Sequence, residues 1–199
     1  MTQPSPLPTS IPGQGQVIVL TGPPGAGKTT VSRLLSDRLS PSVHLHSDDF
    51  WHYLKQGRVE PYLPEAHRQN QVVMDVVTAA AFGYATGGYQ VICDGIIGPW
   101  FIEVFRAAAR SRDLALRYVV LRPDEATTLH RATGRRDSAL IDPGPIRSLH
   151  RQFSDLAAYE RHVLDSTELT SEATAVAVLN GLTAGTYDLD PAGRHGKPR

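Results

Sequence analysis

Apolar residues recur along this chain in two alternating rhythms. Five short runs, Gln16 to Leu20, Ser42 to His46, Tyr89 to Asp94, Leu116 to Leu121 and His162 to Leu164, are bounded by turn residues and are too short for helices. Between them lie longer segments whose apolar residues repeat every three or four positions. Lys28 to about Leu39 carries Val31, Leu34, Leu35 and Leu39 on one stripe. A short helix is expected from Phe50 through Lys55. A long one begins after Pro64, with Glu65 in its first turn, and runs through Val72, Val73, Val76, Val77 and Ala80 to Gly87-Gly88. Pro99 opens another after the turn Gly95 to Gly98, and one more spans about Asp124 to Thr133. A further helix carries Arg147 and Arg151, and Ser171 caps a last one ending near Gly181 or Gly185. Strands alternating with helices predict an α/β chain built on a five-stranded parallel sheet with helices on both faces.

The same pattern sets the domain limits. One domain is expected over residues 16–185, with no internal repeat. Residues 1–15 hold Pro4, Pro6, Pro8 and Pro12 among small polar residues, and 186–199 end in Gly, Pro and basic residues, so both read as disordered tails. With 199 residues, 41% hydrophobic and 20% charged, the chain can bury a real core. A formal net charge of zero argues against broad nucleic-acid binding, which favours a basic face. The single cysteine, Cys93, excludes an internal disulfide and suits a reducing compartment. No apolar stretch approaches the roughly eighteen residues of a membrane span, and no secretory signal opens the chain. The expectation is a soluble cytoplasmic protein, monomer or homodimer, with neither membrane nor nucleic acid as partner.

Chemistry enters at the first strand. Gly22-Pro23-Pro24-Gly25-Ala26-Gly27-Lys28-Thr29 fits G-x-x-x-x-G-K-[ST], lies between a strand and a helix, and is followed by Thr30 in the first helical turn. There the backbone N–H groups and the helix dipole converge on one anion, so the expected ligand is a nucleoside triphosphate, ATP with Mg²⁺. Lys28 would reach the β- and γ-phosphate oxygens, and Thr29 would place its hydroxyl on Mg²⁺. Only three of the twenty basic residues are lysines, which makes one at this position informative.

In open parallel sheets ligands gather beyond the carboxyl ends of the strands, which singles out Asp48 and Asp49, Asp94, Arg122, and Asp165-Ser166-Thr167. Asp94 stands where a carboxylate would hold Mg²⁺ or touch the acceptor. Gly95 follows it, where an ATP-hydrolysing motor would usually place a glutamate. With Asn70 and Asn180 the only asparagines, the guanine-reading Asn-Lys-x-Asp motif is absent. Asp48 can accept the proton of an attacking hydroxyl while Asp49 faces the acceptor or the metal; both also suit the start of a helix. Arg131, Arg135 and Arg136 suit a lid over about 131–145 that neutralises charge on the transferred phosphoryl, and Arg147 and Arg151 could extend that lining. Phe50, Trp51, Tyr53, Tyr62, Trp100 and Phe101 crowd the acceptor side and favour an uncharged, hydroxylated small molecule. His46, His52 and His67 are candidates for hydrogen bonds to it, not for a zinc site, whose ligand spacing they lack.

Taken together, Gly22 to Thr30, Ser47-Asp48-Asp49-Phe50, Asp94, and Leu121-Arg122-Pro123-Asp124 leading to Arg131 and Arg135 resemble the small P-loop kinases. These include chloramphenicol phosphotransferase, shikimate and gluconate kinases, the kinase domain of polynucleotide kinases and zeta toxins, an AAA-type ATP-binding group. The resemblance implies the P-loop NTPase three-layer sandwich, with Asp48 as catalytic base and Lys28, Arg131 and Arg135 catalytic beside it. Arg131 is expected in the nucleotide site and Thr29 and Asp94 toward the metal; Asp48, Asp49, Trp51, His52, Asp94 and Trp100, at or just past the strand ends, are expected toward the substrate, with His52 standing where the polynucleotide kinases carry an arginine. Other readings stay open: a nucleoside or nucleotide kinase using Arg58, Arg68 or Arg106, a sugar-nucleotide kinase, and a regulatory protein that holds ATP without chemistry.

Overall fold

The computed structural model describes residues 14–134 and 142–189. Five strands, β1 (Gln16–Thr21), β2 (Ser42–His46), β3 (Gln90–Asp94), β4 (Ala115–Leu121) and β5 (Val163–Leu164), form one all-parallel sheet in the order β2-β3-β1-β4-β5. The helices are α1 (Lys28–Ser36), α2 (Asp48–His52), α3 (His67–Thr86), α4 (Pro99–Arg112), α5 (Glu125–Thr133), α6 (Pro143–Gln152) and α7 (Ser171–Thr183).

Strand β1 shows why the sheet has two covered faces. Its residues Val17 to Leu20 are all fully buried, and successive side chains leave opposite faces. Val17 and Val19 join Val73, Val77 and Phe82 of α3 and Ile102 and Phe105 of α4; Ile18 and Leu20 join Val31 and Leu35 of α1 and Ala175 and Val178 of α7. Each such side chain contributes about 1.5–3 kcal/mol of burial, so β1 is a stiff base for the loop that leaves its carboxyl end. Cys93 is sealed in the α3–α4 layer, where burial pushes its thiol well above the ordinary range.

Several boundaries move from their expected places. Helix α1 stops at Ser36, capped by Asp37, and a single turn carries the chain on, with Leu39 N bonded to Leu35 O. Helix α2 ends at His52, short of Lys55. The cap of α7 is Thr170, whose side chain accepts from Ala173 N at 3.1 Å, so Ser171 is the first helical residue instead. The folded body also runs past 185. Tyr187 and Leu189 are buried, Tyr118 N donates to Tyr187 O and Leu189 N to Leu116 O, and Asp188 pairs with Arg117. The glycine, proline and basic residues around them mask this short returning segment in the sequence. Arg135 and Arg136, with the rest of the lid segment 135–141, and tail residues 1–13 and 190–199 lie outside the described residues.

Candidate active site

The loop after β1 is shaped by its neighbours as much as by any ligand. Gly22 (φ 142) lies against β4, where a Cβ would fall 2.1 Å from Leu121 O, and Gly25 (φ 86) lies against α5, where one would fall 2.3 Å from Thr128 O. At these two positions the missing Cβ admits protein backbone. Gly27 then caps α1 in a left-handed conformation, with no side-chain hydrogen bond and no acidic residue in the first turn. Thus the helix N-terminus keeps its N–H donors and positive dipole end turned into the loop, as a triphosphate requires. Lys28 Nζ donates to Gly22 O at 2.9 Å and Pro23 O at 3.0 Å, which holds the ammonium across the loop.

Asp94 is the electrostatic centre of the site. It ends β3 beside β1, in register with Leu20, and is fully buried. Thr29 Oγ1 donates to its Oδ2 at 2.7 Å, while His44 Nε2 and His46 Nδ1 lie 2.7 and 3.0 Å from its Oδ1. Burial opposes ionisation, but the hydrogen bonds from His44, His46 and Thr29 outweigh it and hold the carboxyl well below the usual range. His46 is pushed upward in turn by its bond to Asp94, against the cost of its own burial. The hydroxyl–carboxylate pair of Thr29 and Asp94 fits Mg²⁺, and these two residues would hold it. Thr29, His44 and His46 between them cover both carboxylate oxygens of Asp94.

Asp48 and Asp49 occupy the first turn of α2 at the tip of β2, both exposed. Ser47 N donates to Asp94 O, which ties that tip to the end of β3, and Asp48 Oδ2 lies 4.0 Å from His46 Nε2. Thr21 Oγ1 accepts from Ile97 N and Tyr118 Oη donates to Ile97 O, fixing the turn that leads from β3 to Trp100. Trp100 is 45% exposed and edges onto Phe101 and Phe153. Tyr53 and Tyr62 are exposed as well.

Other expected site residues are placed elsewhere. Trp51 is buried in the α3–α4 core with Nε1 donating to Asn70 Oδ1, so it anchors α2 to α3 and does not face an acceptor. His52 is exposed, 4.0 Å from Asp49. Arg122 makes a two-pronged pair with Glu160, and Arg147 pairs with Glu125 at 3.3 Å, so neither lines the loop. Arg131 donates to Ser166 O and Thr167 O. It lines a cavity of about 180 Å³ with Ala26, Gly27, Val31, Leu169 and Thr170, on the α7 side of the loop. Through Gly27 the cavity adjoins the α1 N-terminus. Leu169, Thr170 and His44 were not singled out from sequence; for His44 the alternation His-x-His within a strand was the available signal.

The glycine-rich loop between β1 and α1, the hydroxyl–carboxylate pair with the adjacent strand and the exposed carboxylate at the next strand sit in a five-stranded parallel sheet, the P-loop nucleotide-binding fold of the small-kinase type. The chain belongs to the AAA domain family, whose model matches residues 17–172. No curated protein sequence matches the chain. Among solved structures it is similar to the tunicamycin resistance protein of Deinococcus radiodurans, with 17% identity, a TM-score of 0.60, and 89% of this chain and 100% of that one covered. It is similar to shikimate kinase from Acinetobacter baumannii in complex with shikimate, with 22% identity, a TM-score of 0.59, and 85% and 94% covered. It is also similar to APS kinase from Mycobacterium tuberculosis in complex with AMPPNP and APS, with 17% identity, a TM-score of 0.63, and 86% and 99% covered. At these identities the likeness is one of fold. No helix among the described residues is long and apolar enough to cross a membrane.

Proposed function

We propose that this protein is an ATP- and Mg²⁺-dependent phosphotransferase that moves the γ-phosphoryl group to a hydroxyl of a small, uncharged acceptor. One observation carries the reading: the Thr29–Asp94 pair, at 2.7 Å, joins the phosphate loop to β3, while Asp48 stands exposed at the tip of β2, the strand next to β3. Bound ATP and Mg²⁺ supply the phosphoryl group and its charge neutralisation; the remaining work falls to the chain. The α1 N-terminus and Lys28 bind and orient the phosphates, and Thr29 and Asp94 hold the metal. Asp48 accepts the acceptor's hydroxyl proton. Arg131 sits at the nucleoside end, and any part for Arg135 in the lid remains within this proposal.

The acceptor class rests on the exposed aromatics Tyr53, Tyr62 and Trp100. Structural relatives were solved in complex with shikimate and with AMPPNP and APS. The test is ADP release with ATP and Mg²⁺ over a panel of sugars, nucleosides, nucleotides and hydroxylated antibiotics. At least one uncharged acceptor should stimulate turnover. Asp48→Asn should then lower kcat by about 10²–10⁴ while ATP affinity stays within about twofold. ATP binding without stimulation by any acceptor would favour a regulatory nucleotide-binding protein, and fastest turnover with a nucleotide would move the acceptor class.

A further inference from the structure

Two histidines of β2 have no part in holding phosphate or accepting a proton. His44 and His46 are two apart on a strand, so their side chains leave the same face, opposite to Val43 and Leu45, which pack on the α3–α4 core. The register sets His46 beside Asp94. Both rings therefore converge on one oxygen, Asp94 Oδ1, at 2.7 and 3.0 Å, and the three donor atoms lie within 4.8 Å of one another. The other oxygen, Oδ2, is turned to Thr29.

We propose that His44, His46 and Asp94 form a binding site for one divalent first-row transition-metal ion, separate from the Mg²⁺ that Thr29 and Asp94 Oδ2 would hold. The donor set decides the ion class: two neutral imidazole nitrogens and a carboxylate suit Zn²⁺, Co²⁺ or Ni²⁺, whereas Mg²⁺ takes oxygen ligands. Geometry agrees with the chemistry. With metal–ligand bonds of about 2.1 Å, the 2.7 and 3.0 Å separations subtend roughly 80° and 90° at a shared ion, and the three donor atoms lie within 4.8 Å of one another. Asp94 is buried between the two rings and supplies the carboxylate oxygen. The two imidazoles remain 20% and 30% exposed, which gives an ion a way in. Asp94 then serves two cations, one through each oxygen. The second ion also fixes the His46 ring, whose Nε2 lies 4.0 Å from Asp48 Oδ2, beside the proposed base.

Metal binding is read without nucleotide, so its failure leaves the phosphotransfer reading standing. The full-length protein, stripped with a chelator, is titrated with Co²⁺ and followed by visible absorption and by metal analysis. One Co²⁺ per chain should bind saturably, be displaced by equimolar Zn²⁺ and resist a large excess of Mg²⁺. The double variant His44→Gln, His46→Asn keeps an amide N–H donor toward Asp94 in place of each ring and should melt close to the unsubstituted protein without metal, yet lose Co²⁺ affinity on the order of 100-fold. If that variant does not fold, His44→Gln alone carries the test, with a loss of about tenfold. Absent or unsaturable Co²⁺ uptake, equal affinity in the variant, or displacement by Mg²⁺ as readily as by Zn²⁺ would each overturn the proposal.

Discussion

His162 shows how placement alone rewrites the chemistry of a residue. It is fully buried; Nδ1–H donates to Tyr118 O at 3.1 Å, and Nε2 accepts from Arg161 Nε at 3.1 Å. A proton on Nε2 would face the Arg161 guanidinium inside the fold. Burial first, and then that charge, lower its pKa from 6.5 to about 4. Because the folded value lies below the unfolded one, the unfolded chain binds the extra proton between pH 6.5 and 4. The contribution of His162 is therefore complete above pH 6.5 and lost progressively as pH falls toward 4. At pH 5 the loss should be about 2 kcal/mol relative to pH 7, and His162→Gln should flatten that part of the curve, as read by urea unfolding at the two values. At the same scale, Asp94 was readable from its place after an apolar strand, because a carboxylate there has few structural reasons to exist. Trp51 was not: an aromatic beside a catalytic aspartate has the same local pattern whether it faces a ligand or, as here, the core and Asn70.

Among the elements, the phosphate loop joins sequence to function most directly. Its motif was plain in the sequence, but two of its glycines answer to α5 and β4. Gly25→Ala drives a Cβ into Thr128 O, a backbone atom that moves only with α5, whereas a Cβ at Gly27 (φ 88) meets nothing within 4 Å and costs only left-handed strain, roughly 1–2 kcal/mol. Gly25→Ala should thus lower the melting temperature more than Gly27→Ala and weaken ATP binding at least about tenfold, measured by thermal melting and titration calorimetry. Helix ends were legible to within a few residues. The cap of α7 was misplaced by one because Thr170 and Ser171 are both good caps, and only backbone geometry selects between them.

For the molecule as a whole, the sheet order assembles the site and the C-terminal segment completes the edge of the core along β4. Residues 187–189 return along β4, burying Tyr187 and Leu189 and setting Asp188 on Arg117. Ending the chain after Gly185 should destabilise it by roughly 3 kcal/mol, on the order of a 10 °C fall in melting temperature by calorimetry, where removal of a true tail would leave it unchanged. Five apolar strands alternating with helices, the glycine-rich loop and the carboxylates at strand ends were determined by local order in the chain, since periodicity and turn chemistry act over neighbouring residues. Which strand lies beside which belonged to the tertiary structure: it set Asp94 against Thr29, drew His44 and His46 onto a single oxygen, turned Arg131 toward the loop after β5 and returned residues 187–189 to β4. Such meetings depend on side chains dozens of residues apart competing for the same buried space, and no local pattern records the outcome of that competition.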